Sequence, residues 1–313
     1  MKNQPLVCVL SVLVLLAAAA GQAMAAPTQF DFTNGDLSAT FGPGTLAYRN
    51  GATTSSVVSF GTASSFGLPA MPGGDARVMS FPAFAGTQGL EFYPAVPPNG
   101  GSSTEVRQYT LIYDLLVPGP ASSGWMGLLN TNATNSTDAD LWLKFVSTTA
   151  GFGAYGQYDG AISVDQWYRL AVTFDMSASP QLRKYVDGAY VGGQNPGWDL
   201  TLWAQGSPTH LLTDNNGDTK AGYVSSVYFA DQALDAATIA GFGGPSAGGV
   251  VPEPAAGTLL VCGGLCLAAV AWRMRPRRQH ARALRIAPHT RQGQTARYSQ
   301  AARRGTRRAA TAA

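Results

Sequence analysis

The chain is 313 residues long, with 37 Gly, 19 Pro and only 12% charged residues. Low charge with abundant Gly, Ser and Thr disfavours a helical enzyme and favours an all-β extracellular body; five Trp between residues 90 and 230 supply a core that a low-complexity disordered chain lacks. The net charge of +3 hides a split: residues 26–250 carry eight basic and seventeen acidic side chains, a net of −9, whereas residues 273–313 carry twelve Arg and no acid, so the body is poorly suited to nucleic acid.

Cysteine is segregated in the same way. Cys8 lies in the first apolar run and Cys262 and Cys266 in the last, so the body has no disulfide, thiolate metal site or cysteine nucleophile and must be stabilised by a sizeable core. At the N-terminus, Lys2 precedes an almost unbroken apolar stretch, residues 6–20, and Ala23-Met24-Ala25 is the small-x-small pattern that signal peptidase accepts. Residues 1–25 therefore read as a signal peptide, with cleavage between Ala25 and Ala26. The apolar run is short for the alternative, an N-terminal membrane helix.

The body reads as short apolar runs cut by turn chemistry. Phe30-Asp31-Phe32 alternates, and residues 108–117 (QYTLIYDLLV) are strongly β-like and stop at Pro118-Gly119-Pro120. Residues 141–146 (LWLKFV) follow a polar loop, and residues 167–175 (WYRLAVTFD) alternate up to a Ser/Ala/Pro turn. Residues 181–186, then Asp187-Gly188, then residues 189–191 read as a hairpin, because Asp-Gly suits a tight two-residue turn. Residues 221–229 (AGYVSSVYF) form another strand. Only residues 234–242 (LDAATIAGF) read as helical, with Asp235 as N-cap and Gly241 or Gly243 as the stop. Many strands, evenly spaced turns and one short helix predict an all-β, two-sheet sandwich.

The run from Gln166 through Trp167-Tyr168-Arg169 to Asp175, followed by Lys184-Tyr185-Val186-Asp187-Gly188, resembles the strand and hairpin core of LamG-like domains, which belong to the concanavalin A-like lectin/glucanase jelly rolls. Residues 212–218 (LTDNNGD), Gly222-Tyr223-Val224-Ser225-Ser226-Val227, Ala233-Leu234 and Gly243-Gly244-Pro245 are similar to the closing strand and helix of that family. The resemblance covers residues 108–245 and is vague over residues 27–100, which are taken as the first strands of the same jelly roll, since that topology pairs its N- and C-terminal strands. It implies a domain spanning residues 26–245.

Jelly-roll glucanases carry paired carboxylates on one sheet face, in a Glu-x-Asp-x-x-Glu run whose alternation aims the acids the same way. That run is absent. Glu91 and Glu105 are the body's two Glu and stand outside any such pattern; Asp138 and Asp140 read as solvated loop residues. His210, the body's single histidine, allows neither a serine triad with a second His nor a His zinc cluster and reads as a strand-entry residue. These residues predict a body without catalytic groups. In the loop ahead of Lys220, Asp214, Asn216 and Asp218 alternate in a spacing like the first half of a calcium loop, which makes them the candidate metal ligands and Ca2+ the candidate ion. No bidentate Glu follows, and an Asx-rich turn explains the same residues. Trp125, Trp142, Trp167, Trp198 and Trp203, with Tyr155 and Tyr158, are candidates to stack on sugar rings. Trp142 and Trp167 lie in alternating strands and read as core, which leaves Trp198 and Trp203, after Gln194-Asn195-Pro196-Gly197, as the exposed ligand-binding candidates.

A Gly/Ser/Pro-rich stretch, residues 243–249, leads to Val251-Pro252-Glu253-Pro254; residues 246–254 read as a linker. Residues 255–272 are eighteen residues without a charge, near the lower limit for crossing hydrocarbon at about 1.5 Å per residue. Arg273, Arg275, Arg277 and Arg278 follow at once, which keeps that end cytoplasmic and the acidic body outside. This order resembles the PEP-CTERM sorting signal of Gram-negative bacteria. The resemblance implies processing by a membrane exosortase at or near the triplet, whose prolines hold the backbone out of helix. An ordinary single-span anchor is the alternative. Residues 279–313 depart from the signal's usual short ending; this Arg-rich tail reads as disordered and able to meet anionic headgroups, or as an extension beyond the true reading frame.

The expectation is thus an exported cell-surface or exopolysaccharide-matrix protein: signal peptide, non-catalytic LamG-like sandwich, PEP linker, one transmembrane helix at residues 255–272 and the tail at residues 273–313. Its expected partners are signal peptidase, exosortase, the membrane and extracellular polysaccharide. The alternatives are a structural or adhesive matrix protein with protein partners, and a glycan-cleaving enzyme.

Overall fold

The computed structural model describes residues 26–120, 123–196 and 202–250. Among them run β1 (Thr28–Phe30), β2 (Thr45–Tyr48), helix α1 (Gly51–Ser55), β3 (Ser59–Thr62), β4 (Arg77–Phe81) and β5 (Leu90–Tyr93). The middle of the chain forms β6 (Gln108–Leu116), β7 (Gly124–Asn130), β8 (Leu141–Val146), β9 (Thr149–Ala154) and β10 (Gln157–Ser163). The remainder forms β11 (Trp167–Asp175), β12 (Leu182–Val186), β13 (Ala189–Gln194), β14 (Thr209–Leu211), β15 (Gly222–Ala230) and helix α2 (Ala236–Phe242).

The strands build two antiparallel sheets. One has eight strands in the order β13-β12-β11-β6-β15-β4-β3, with β1 on β15; the other has seven in the order β10-β9-β8-β7-β14-β5-β2. The strands of residues 28–93 are thus members of the same two sheets as the rest, and the first and last strands pair, Phe30 opposite Val227. The Asp187-Gly188 turn takes positive φ at both residues (50° and 81°), the geometry that matches strand twist in a two-residue hairpin. Asp235 caps α2, its carboxylate accepting from the Thr238 amide at 2.7 Å, and Gly243 ends the helix at φ 59°.

Strand alternation explains the layers. Tyr109, Leu111, Tyr113 and Leu115 of β6 join Leu170, Val172 and Phe174 of β11 and Leu141, Leu143 and Phe145 of β8 in the core between the sheets. In β15 a register shift between Val224 and Ser226 lets Val224 and then Val227 and Phe229 all point inward. The outer face of the eight-stranded sheet is also covered: Ile112, Ala171, Tyr185 and Tyr228 pack with Ile239 of α2 and with Val250. β6 is therefore buried along both faces. The seven-stranded sheet is more open, with Lys144 and Val146 exposed on β8. At the edge where the sheets meet, Lys184 of β12 pairs with Asp159 of β10 at 2.5 Å. Burial draws the Lys184 pKa down, against the pull of Asp159.

Residues 246–250, read from sequence as linker, are packed on the body, with Val250 fully buried. The signal segment with Ala25, the triplet with Val251, the apolar run at residues 255–272 and the Arg cluster lie outside the described residues. Among the described residues no helix is long and apolar enough to cross a membrane.

Candidate functional site

Of the two tryptophans expected to be exposed, Trp198 lies outside the described residues and Trp203 is a core residue. Trp203 is 0% exposed, its indole N–H donates to the Asp140 carbonyl at 2.9 Å, and its ring lies 5.6 Å from Phe174. The Tyr109 hydroxyl donates to the Trp203 carbonyl at 2.8 Å. The loop ahead of β14 turns back into the sandwich because an apolar ring with its one donor satisfied is more stable buried than solvated, so Trp203 has no face to offer a ligand. Asp140, expected to be solvated, is also buried and accepts from the Thr131 amide and hydroxyl at 2.8 and 2.7 Å, whereas Asp138 is exposed.

The candidate metal ligands form a chain of Asx turns. Asp214 accepts from the amides of Ala139 and Asn216 at 2.8 and 3.1 Å, and Asn216 accepts from the Asp218 amide at 3.1 Å. The Asp218 pKa is raised, first by burial and then by the charges of Asp214 and Asp138, against Lys220. Among the described residues no group of three or more His, Cys, Asp or Glu is placed to hold a metal. His210 sits in β14 between Glu91 and Asn130, with Nε2 3.0 Å from the Ala133 carbonyl.

The structure draws attention instead to the outer face of the seven-stranded sheet. LWLKFV alternation sends Leu141, Leu143 and Phe145 inward and Trp142 and Lys144 outward. Trp125 of β7 is the cross-strand partner of Lys144, and Gly151 of β9 is its partner on the other side. Gly151 lets Tyr158 of β10 lie across β9, since a Cβ there would stand 2.8 Å from the Tyr158 Cβ. The Trp125 ring consequently lies 5.1 Å from Tyr158 and 5.6 Å from Trp142, edge-on to both. The Lys144 ammonium stands 4.8 Å from the Trp125 centroid and 5.3 Å from that of Tyr158. Trp142 is buried beneath this group, Trp125 and Tyr158 are half-buried and Lys144 is exposed. Burial raises the Tyr158 pKa, against the hydrogen bond from the Gly156 amide. The cluster sets two half-buried aromatic rings beneath an exposed ammonium, groups of the kind that meet the C–H faces and the hydroxyls of a sugar ring. Trp125 and Tyr158 stand among the aromatics noted in the sequence; the period of two around Lys144 is the signal that would have singled them out.

Residues 108–240 match the family model of the concanavalin A-like lectin/glucanases superfamily, Laminin_G_3. That stretch is a LamG-like domain, within an all-β, antiparallel, concanavalin A-like sandwich. No curated protein matches the chain. Among solved structures, the chain is similar to domain 4 of AbnA, an extracellular GH43 arabinanase from Geobacillus stearothermophilus in complex with arabinotriose, at 20% identity and a TM-score of 0.39; the match covers 69% of this chain and 98% of that one. It is also similar to Trypanosoma rangeli sialidase, at 14% identity and a TM-score of 0.38, covering 58% of this chain and 31% of that one. The binding domain of botulinum neurotoxin DC, in complex with rat synaptotagmin II, gives 12% identity and a TM-score of 0.36, covering 52% of this chain and 41% of that one.

Proposed function

We propose that this is an exported, exosortase-sorted bacterial surface or matrix protein whose LamG-like sandwich binds extracellular polysaccharide without cleaving it. The observation that carries the binding reading is the Trp125, Tyr158 and Lys144 cluster on the more open sheet face. Sugar rings stack their C–H faces on such aromatics, and the ammonium donates to hydroxyl or carboxylate oxygens.

The non-catalytic reading is supported by how the strand acids are engaged. Asp114 is paired with Arg169, Asp159 with Lys184, and Glu91 accepts from the Tyr93 hydroxyl at 2.9 Å. Export and sorting rest on the signal-peptide pattern and on the triplet, apolar run and Arg cluster in the sequence.

A glycan array probed with the wild-type body, Trp125→Ala and Tyr158→Ala tests the binding face. The wild type binds a polysaccharide, and each variant loses at least about tenfold in affinity, as removal of a stacking anchor does, while its melting temperature shows it folded. Absence of binding at high protein concentration, or affinity untouched in both variants, would remove this reading. Release of reducing ends from the bound polysaccharide would overturn the non-catalytic part.

A further inference from the structure

Residues 246–250 form a strap across the outer face of the eight-stranded sheet, held at every step. The Ala247 amide donates to the Pro72 carbonyl at 2.8 Å, and the Gln29 side-chain amide donates to the Gly248 carbonyl at 3.3 Å. The Gly249 carbonyl accepts from Arg169 Nη2 at 3.0 Å and from the Ser246 hydroxyl at 2.8 Å. Val250 is fully buried beside Ile112, Ala171, Tyr185, Tyr228 and Ile239. Arg169 also donates through Nη1 to the Phe242 carbonyl at 2.6 Å, so one guanidinium holds both the end of α2 and the strap.

In the sequence the triplet begins two residues after the buried Val250. A protease binds its substrate as an extended strand of several residues, pairing with the backbone on both sides of the bond it cuts. The residues on the N-terminal side of the triplet are here committed to the body through their own carbonyls and amides.

We propose that docking of this strap governs cleavage ahead of the C-terminal anchor: hydrolysis at or before the triplet passes through an undocked state in which residues 246–250 have left the sheet. The proposal rests on the sorting reading above and adds its regulation. Where opening and closing are fast, cleavage follows the population of the open form, so changes in strap stability appear directly in the cutting rate.

Two variants move that population in opposite directions. A Cβ at residue 249 would stand 2.8 Å from the Gln29 side chain on a backbone with φ 72°, so Gly249→Ala loosens the strap. A Cβ at residue 73 would lie 3.7 Å from the Ala247 Cβ, a disulfide distance, so Gly73→Cys with Ala247→Cys, in a chain whose Cys8, Cys262 and Cys266 are replaced by Ser, locks the strap when oxidised; the side chain sits on a backbone with φ 90°, so the oxidised form is compared with its own reduced form.

The test has two arms. In the first, the full chain in detergent is digested with thermolysin, which cuts before bulky apolar residues such as Val250, and the products are read by mass spectrometry. Wild type is cut far more slowly than a free peptide of residues 246–254; Gly249→Ala is cut about tenfold faster than wild type. The oxidised double-cysteine variant resists until dithiothreitol is added. Wild type cut as fast as the free peptide, or a locked variant cut as fast as its reduced form, overturns the proposal. In the second arm, pulse-labelled cells report processing of the same variants. Equal processing rates in all of them sink the proposal alone; a C-terminus retained by every variant sinks the sorting reading and the proposal with it.

Discussion

Asp114 of β6 and Arg169 of β11 stand opposite each other in the register and close a two-pronged ion pair, Nε to Oδ1 and Nη2 to Oδ2 both at 2.7 Å, with side chains 0% and 3% exposed. A buried pair of this kind is worth little against apolar neighbours of equal volume, yet losing one partner strands a charge. Arg169→Met should therefore cost about 3–5 kcal/mol in urea unfolding. Asp114→Leu together with Arg169→Met should recover much of that loss. The double variant still lacks the donors to Phe242 and Gly249, so thermolysin should cut its strap faster than wild type at similar global stability. A double variant as unstable as the single one would mean the pair is not the source of the cost.

His210 gives the fold a pH dependence with a definite sign. Burial lowers its pKa from 6.5 and nearby Arg49 lowers it further, against the Ala133 carbonyl and Glu91. The unfolded chain thus binds the proton first as pH falls, so stability is full above pH 6.5 and is lost on acidification through the folded value. His210→Gln, which retains a donor toward Ala133, should flatten this part of the profile in urea titrations stepped downward from pH 6.5. Parallel profiles for the two proteins would show that other groups carry the slope.

How far the fold was legible depends on which signals are local. Asp187-Gly188, the Asp235 cap and the alternation of LWLKFV and WYRLAVTFD each determine geometry within a few residues, and each appears where its pattern placed it. β14 spans only Thr209–Leu211, too short for a period, and β7 (GWMGLLN) has two glycines that read as loop. Trp203 was misplaced for a different reason. Its burial depends on the Asp140 carbonyl, 63 positions away, and no local pattern reports such a partner. Residues 246–250 have linker composition, and only Arg169 and the apolar surface around Val250 turn them into a strap.

The hairpin turn supplies a stability test with a close neighbour. Gly188 has φ 81°, and a Cβ there would meet the Ala240 and Gly243 backbone of the α2 region at 3.3 Å. Gly188→Ala should cost about 1–2 kcal/mol from the left-handed backbone alone. Because the contact lies under α2, hydrogen exchange should quicken in Ala236–Phe242 as well as in the turn. Exchange changed only in the turn would show that the approach to α2 carries no load.

The loop of Asp214, Asn216 and Asp218 decides whether calcium matters to the sandwich. A hard cation needs several oxygens with free lone pairs converging on it. Asp214 accepts one amide on each carboxylate oxygen, and Asn216 accepts the Asp218 amide on its side-chain oxygen. Each of these oxygens keeps a second lone pair, but among the described residues no three His, Cys, Asp or Glu side chains are grouped to hold a metal, and Lys220 adds a positive charge beside Asp218. A ligand present at a hundred times its dissociation constant stabilises a fold by about 2.7 kcal/mol, which a thermal melt registers easily. Melts in excess Ca2+ and in chelator should therefore coincide. Asp214→Asn should destabilise equally in both, because its amide nitrogen would face a main-chain N–H. A melting temperature that rises with Ca2+ in wild type and not in Asp214→Asn would assign these oxygens to an ion after all.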